Sequence, residues 1–320
     1  MKKILFIAPD YYGFNEVVYD GLKKYSNAEV THVVSAYTQR YKYKHIGERI
    51  QNLFMKTFLG RNLKDERQYG ELKEVAHNSD FFDQIIINRP DVLSPDDLIR
   101  LKSKTNMLKA FFWDSIEKIP SQRDSTAYFD KCFSFDSLDC EKYGFEKNTN
   151  FFFAPTMPNQ DIIYDVLFLG TQDGRIDKLV KILEHLNRIG YHSRALLYNH
   201  YSSEESEYSK SPFITITNKL IPFSQSYKIS SQSRILLDLA QDNQAGLSFR
   251  PFEALGLQKK MITDNPNILN YDFYSPENIC LIDPENIKIS EAFFSKPYNP
   301  LDTAILGKYS LEHWIHNIIK

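Results

Sequence analysis

The stretch RILLDLAQDNQAGLSFRPFEALGLQKKMITDN, residues 234–265, decides the fold. Its opening, Arg234 to Leu239, is a short apolar run of the kind that forms a buried strand. Gly246 interrupts the pattern, Pro251 stands where the first turn of a helix tolerates it, and Glu253 follows on that helix. A second apolar run, Lys260 to Asp264, closes the segment. Two buried strands joined by a helix predict a βαβ unit in a parallel sheet.

The alternation extends in both directions. Asp161 to Leu169 is an apolar strand ending at Gly170-Thr171, and Ile176, Leu179, Val180, Leu183 and Leu186 mark one face of the helix after it. Further strands are expected at His192 to Tyr198, Phe213 to Thr217 and Asn278 to Ile282. The start of the chain reads the same way: Lys3 to Ala8 is an apolar run ending at Pro9-Asp10-Tyr11-Tyr12-Gly13, with Val17, Val18 and Leu22 at helical spacing beyond it. Val30 to Val34, Gln84 to Asn88, Met107 to Trp113, Lys131 to Phe135 and Asn150 to Phe153 complete the strands expected in this half. Between the halves, Ala154 to Asn159 lacks periodicity and carries Pro155 and Pro158, which predicts a linker. After Gly307, the residues Leu311, Trp314, Ile315, Ile318 and Ile319 form an apolar stripe, so a terminal helix N-capped by Ser310 is expected.

A chain of 320 residues exceeds what one core usually supports, in line with α/β domains over 1–155 and 160–305 and a helix over 308–320. The net charge of -2 provides no field for a polyanion, so no nucleic-acid partner is expected. No run approaches the roughly 18 apolar residues of a membrane span, and Asp10 ends the opening run too early for a secretory signal. Cys132, Cys140 and Cys280 match neither a zinc pattern nor a disulfide framework, which points to a reducing cytoplasm and to core packing as their role.

Residues 234–265 resemble the donor-site block of GT-B glycosyltransferases, in which a strand leads through a Gly-containing loop to a short helix bearing a Glu. Phe111-Phe112-Trp113-Asp114-Ser115, Phe133-Ser134-Phe135-Asp136 and Asn267-Ile268 through Asp272-Phe273-Tyr274 extend the likeness. Together they are similar to a bacterial group from lipopolysaccharide and capsule biosynthesis, related to spore-maturation-type glycosyltransferases. The resemblance implies two Rossmann-like domains with parallel sheets facing a cleft, and a C-terminal helix packed back on the first domain. It implies a nucleotide-sugar donor on the second domain, a glycan or lipid-linked glycan acceptor on the first, and Glu253 on the ribose hydroxyls. One departure concerns a second glutamate, which family 4 retaining enzymes carry eight positions earlier; here that position is Ala245, with Gln244 beside it as the candidate substitute. Donor sugar and stereochemistry stay open.

The chemistry of the residues agrees with this without the name. A carboxylate at Glu253 accepts from two vicinal hydroxyls, the helix start near Gly246 to Arg250 favours phosphate, and Arg250 offers a bidentate contact to a diphosphate. The alternative is a solvated pair of helix charges. Gly170-Thr171-Gln172-Asp173-Gly174-Arg175 opens another helix, offering backbone N–H groups and a cation, with Lys178 one turn later. Pro222 and Phe223 follow a strand where the fold presents an apolar wall to the base; turn formation explains Pro222 equally well. No Asp-x-Asp motif occurs, so neither a catalytic metal nor any other cofactor is expected.

In the first half, Asp10 and Asp114 end apolar strands, where ligands of α/β sheets bind. Asp114 beside Trp113 is the first choice for general base if the anomeric centre inverts, with helix capping as the alternative. His32, His77, His313 and His316 are expected at the surface, since no acid or cysteine completes a metal set. From Thr38 to Lys73 nine basic residues face four acidic ones, and Ile46, Ile50, Leu53, Phe54 and Phe58 form one helical stripe. A core-facing helix accounts for the stripe; a peripheral contact with the inner face of a membrane, near the acceptor entrance and involving Lys42, Lys44, Arg49 and Lys56, is the functional reading. Beside glycosyl transfer, a sugar-nucleotide epimerase and a non-catalytic nucleotide- or glycan-binding protein remain open on this architecture.

Overall fold

The computed structural model describes the chain except residues 38–42, 60–62, 64–69, 71, 73, 78–79, 155–159, 200–210 and 242–243; at 37, 58 and 59 it describes the backbone alone. The expected linker, apart from Ala154, and Lys42 lie outside the described residues. The chain forms two compact units, Met1–Ser134 with Asp139–Lys147 and Ile318–Lys320, and Phe135–Leu138 with Asn148–Asn317.

The first unit holds a parallel sheet of β1 (Lys2–Asp10), β2 (Ala28–Tyr37), β3 (Gln84–Asn88), β4 (Leu108–Phe112), β5 (Lys131–Ser134) and β6 (Glu146–Lys147), ordered β2-β1-β3-β4-β5-β6. Its central strands are mostly apolar because both faces are covered: Leu5, Ile7, Ile85, Ile87 and Leu108 share one core with Leu98 and Leu101. After β1 the chain passes through two left-handed residues, Tyr12 (φ 57°) and Gly13 (φ 74°), before the helix Phe14–Tyr25. Glycine takes that conformation freely, whereas Tyr12 adopts it against its Cβ.

Two expectations for this unit are corrected. Asn150–Phe153 is not a sheet strand: Phe152 makes one isolated parallel bridge to Ser310, and the edge of the first sheet is the short polar β6. The apolar run there reports burial of rings, with Phe151 against Phe249 and Trp314, and not strand pairing. His32 is half-buried and not an open surface residue. It stacks on β2 between Phe6 and Tyr19, at 5.1 Å from each ring centroid, and burial pushes its pKa down to about 4. His313 and His316 are exposed as expected.

Lys109, the second residue of β4, is fully buried, and burial lowers its pKa to about 8. Its Nζ donates to the Ile318 carbonyl at 2.9 Å, and Gln84 Nε2 donates to that of Ile319 at 2.8 Å. These bonds satisfy the last carbonyls of the helix Leu311–Ile319, where a cation is also favoured by the helix dipole.

In the second unit β7 (Tyr164–Thr171), β8 (Ser193–Tyr198), β9 (Ile214–Thr217), β10 (Ser233–Asp238), β11 (Lys260–Thr263) and β12 (Ile279–Leu281) form a second parallel sheet, ordered β12-β11-β10-β7-β8-β9. Alternation along β10 serves both faces: Ile235 and Leu237 enter the core that holds Leu179, Leu183 and Leu186, while Leu236 enters the core of Phe252, Leu255 and Phe273. The expected helix runs over Ile176–Arg188 with Ile176, Leu179, Leu183 and Leu186 buried. The terminal helix begins as expected, with the Ser310 hydroxyl accepting from the His313 N–H at 3.2 Å.

Candidate functional site

The strand order of the second sheet locates a ligand crevice before any side chain is considered. From β7 the chain winds outward through β8 and β9, then returns to the other side of β7 as β10. Connections therefore leave the carboxyl ends of β7 and β10 in opposite directions, and a crevice opens between them.

Two arginines converge at that point. Arg250, on the helix Phe249–Gly256, donates from Nη2 to the carbonyl of Leu169 on β7 at 2.6 Å and from Nη1 to Ser230 Oγ at 2.9 Å. Arg175 donates from Nη1 to the carbonyl of Leu239, just past β10, at 2.7 Å and pairs with Asp173 at 2.6 Å. Asp238, the last residue of β10, is buried and accepts from Ser248 Oγ at 2.9 Å and Thr263 Oγ1 at 3.0 Å. Burial raises its pKa, against the hydroxyl donors and the charges of Arg175 and Arg250. Burial likewise lowers that of Arg250 to about 10, with Asp238 opposing, so the guanidinium stays cationic at neutral pH.

Glu253 stands one turn beyond Arg250 and is buried. Its Oε2 is ion-paired with Arg250, and its Oε1 accepts from Ser226 Oγ at 3.0 Å. Each carboxylate oxygen keeps a second lone pair for a further donor. The carboxylate also lines an aromatic recess with Phe151, Phe153, Phe223, Tyr227 and Phe249. Phe223 packs against Phe153 and Phe249, each at 4.9 Å between centroids, and Pro222 is the N-cap of its helix Phe223–Ser230. The alternative of a solvated Arg250–Glu253 pair is thereby overturned, because both side chains are enclosed.

Other expected donor-side residues are placed differently from their sequence pattern. Gly170 and Thr171 are the last residues of β7, paired with Leu197 and Tyr198 on β8, and the Gln172 N–H donates to Tyr198 at 2.9 Å. Only the turn at Asp173 and Gly174 is left to open the next helix. Lys178 pairs with buried Asp264 at 2.8 Å, and Asp264 also accepts from the Ala240 N–H. At Gly246 the N–H donates to Asp136 Oδ2 at 3.2 Å, as that of Ala245 does at 2.7 Å. A carboxylate of the protein thus sits where the sequence pattern suggests phosphate, and glycine is required there for packing: a Cβ would lie 2.3 Å from the Phe135 ring.

No protein-family model matches the chain, and no curated protein matches it in sequence. Solved structures do match. A phage T4 β-glucosyltransferase aligns over 98% of this chain and 98% of its own, with TM-score 0.54 and 12% identity. Methanocaldococcus jannaschii UDP-GlcNAc 2-epimerase, solved with UDP-GlcNAc and UDP, aligns over 100% and 99% with TM-score 0.52 and 13% identity. The epimerase of Neisseria meningitidis, bound to UDP-GlcNAc, gives 0.52 and 10% over 100% and 98%. The chain has the GT-B fold.

Both sheets of this GT-B protein are Rossmann-like, and the first has its own switch point, between β1 and β3. Asp10 ends β1 there, followed by Tyr11, whose ring lies 5.7 Å from the guanidinium of Arg89. Arg89 is left-handed (φ 55°) and forks onto Asp91 at 2.8 and 2.9 Å. Asp114 lies two residues past β4, pairs with Lys118 at 2.6 Å, and contributes with Asp91 and Tyr11 to raising the pKa of Arg89.

Sequence reasoning missed Asp238, Ser226, Asp136, Asp264 and Arg89. Asp238 was readable, since it ends an apolar strand just as Asp10 does. Asp136 closes the run Phe133 to Asp136 that extends the family likeness, but no site role was read from it, while Ser226, Asp264 and Arg89 carry no pattern of their own and are recruited by the fold.

Proposed function

We propose that this chain is a glycosyltransferase that moves a sugar from a nucleoside-diphosphate donor to a hydroxyl of a glycan or lipid-linked glycan of the bacterial lipopolysaccharide or capsule class. The observation that supports this is the grouping of Glu253, Arg250 and Arg175 around the β7–β10 switch point. A carboxylate suits the vicinal hydroxyls of a ribose, and guanidinium groups suit the diphosphate. The two epimerases named above are described with UDP-GlcNAc bound, which agrees with a donor of this class.

In the proposed reaction the acceptor oxygen attacks the anomeric carbon, and the bond from that carbon to the diphosphate oxygen breaks. Arg175, Lys178 and Arg250 offset the charge on the departing diphosphate, and no tightly held metal is required. If the centre inverts, Asp114 or Asp10 takes the acceptor proton; if configuration is retained, the departing diphosphate oxygen takes it and that base is unnecessary. Turnover that persists in a chelator supports the metal-independent form. Peripheral contact with the inner face of a membrane would bring the enzyme to a lipid-linked acceptor.

The decisive test is thermal stabilisation by UDP-, GDP-, dTDP- and CMP-sugars, followed by donor consumption with and without a glycan acceptor. Stabilisation by one donor, lost in Glu253→Gln, with consumption only when acceptor is present, is the expected result. No stabilisation by any of them would sink the reading. The likeness to two epimerases favours one second reading, a sugar-nucleotide epimerase, and donor conversion without acceptor would establish it.

A further inference from the structure

The helix Ile46–Leu59 of the first unit is built inside out. The side chains it turns inward include two polar ones, Glu48 and Asn52, together with Met55, at spacings of four and three. The polar pair is held by bonds: the Lys44 N–H donates to Glu48 Oε2 at 2.9 Å, the Leu63 N–H donates to Asn52 Oδ1 at 2.7 Å, and Asn52 Nδ2 donates to the Tyr43 hydroxyl. The opposite face carries Ile46, Ile50 and Leu53, which are 77%, 63% and 68% exposed. The core-facing helix suggested by the periodicity is therefore corrected for Ile46, Ile50, Leu53 and Phe54, which point to solvent; the side chain of Phe58 lies outside the described residues.

Among the described residues of this helix and the two before it, the exposed charges have one sign. Lys44, His45, Arg49 and Lys56 are exposed, and the one acid of this helix, Glu48, is turned inward. An apolar ridge bordered by cations complements an anionic lipid surface, whose headgroups take the charges while the aliphatic side chains enter the acyl boundary. A second copy is a poor occupant, because an isologous contact sets these cations against themselves. With 14 residues the helix is too short to span a bilayer, so it lies along the surface. We propose that Ile46, Ile50 and Leu53, with Lys44, Arg49 and Lys56, form a docking face for an anionic lipid bilayer. This surface is independent of the donor-site reading and uses none of its residues.

The full-length protein is sedimented with vesicles of phosphatidylcholine alone and of phosphatidylcholine mixed with phosphatidylglycerol, at low and high salt. Expected is binding to the mixed vesicles that weakens with salt. The double substitution Ile50→Gln/Leu53→Gln reduces it by about tenfold, with circular dichroism unchanged because both positions are exposed. Arg49→Gln/Lys56→Gln weakens binding and flattens its salt dependence. Nucleotide-sugar stabilisation, read in the same samples, stays as in the unsubstituted protein. No binding to mixed vesicles, or binding untouched by the apolar double substitution, overturns the proposal. So does a concentration-dependent dimer that this substitution dissolves, which would assign the face to a second copy.

Discussion

Arg250 reaches back across the β7–β10 crevice to donate to the carbonyl oxygen of Leu169 at 2.6 Å. The same guanidinium bonds Ser230 and is paired with Glu253, so it ties the donor-side helix to the sheet as well as supplying charge. Replacing it with alanine strands the Glu253 carboxylate and a strand-end carbonyl in an enclosed site. Arg250→Ala should therefore cost about 2–4 kcal/mol of stability, read as a lower urea midpoint. Lysine restores the charge but not the fork, so Arg250→Lys should recover only part of the loss.

Glu253→Gln is the cleaner probe of function. Glutamine keeps the shape and the Ser226 contact, and it removes the charge that faces Arg250. Stability should fall by about 1–3 kcal/mol, less than for Arg250→Ala, while nucleotide-sugar turnover should drop by about a hundredfold because the ribose acceptor is weakened. Turnover within a factor of about two of the unsubstituted protein would remove the carboxylate from the site.

Gly246 should tolerate no side chain. A Cβ there would meet the Phe135 ring at 2.3 Å and the Phe135 carbonyl oxygen at 2.9 Å, and the carbonyl cannot rotate away as a side chain can. Gly246→Ala is expected to lose about 1–3 kcal/mol by overpacking, measured by thermal or urea unfolding. Asp136→Asn should loosen the same loop without a clash, since one carboxylate oxygen holds both the Ala245 and Gly246 N–H groups.

How much of this was legible in the sequence follows from what each signal measures. Strands such as β1, β3 and β10 were readable because a strand buried on both faces reads as a near-continuous apolar run. Asn150–Phe153 misled because burial of rings produces the same run without pairing, and β6 was invisible because a two-residue polar edge strand has no apolar signal. The stripe on Ile46–Leu59 was found, but periodicity defines a face and not the side on which the protein lies. At the site, Glu253 and Arg250 were found through a segment contiguous in sequence. Ser226 and Asp136 reach it from elsewhere in the chain, and only the fold brings them there.

His32 sets an acid limit on the first unit. Its ring is stacked between Phe6 and Tyr19, with Asn15 Nδ2 3.4 Å from Nε2, and burial holds its pKa near 4 against an ordinary 6.5. Between these values the unfolded chain binds a proton that the folded chain refuses, so stability rises with pH through the window and is lost as pH falls from about 6.5 to about 4. Allowing for the ring's partial exposure, the loss should reach about 1–2 kcal/mol. His32→Phe keeps the stack and removes the titration. It forfeits the contact with Asn15 at every pH, so it should start less stable near neutrality yet show a flatter acid limb. Urea midpoints for both proteins at several pH values across the window read this difference, and parallel acid limbs would show that His32 does not contribute to it.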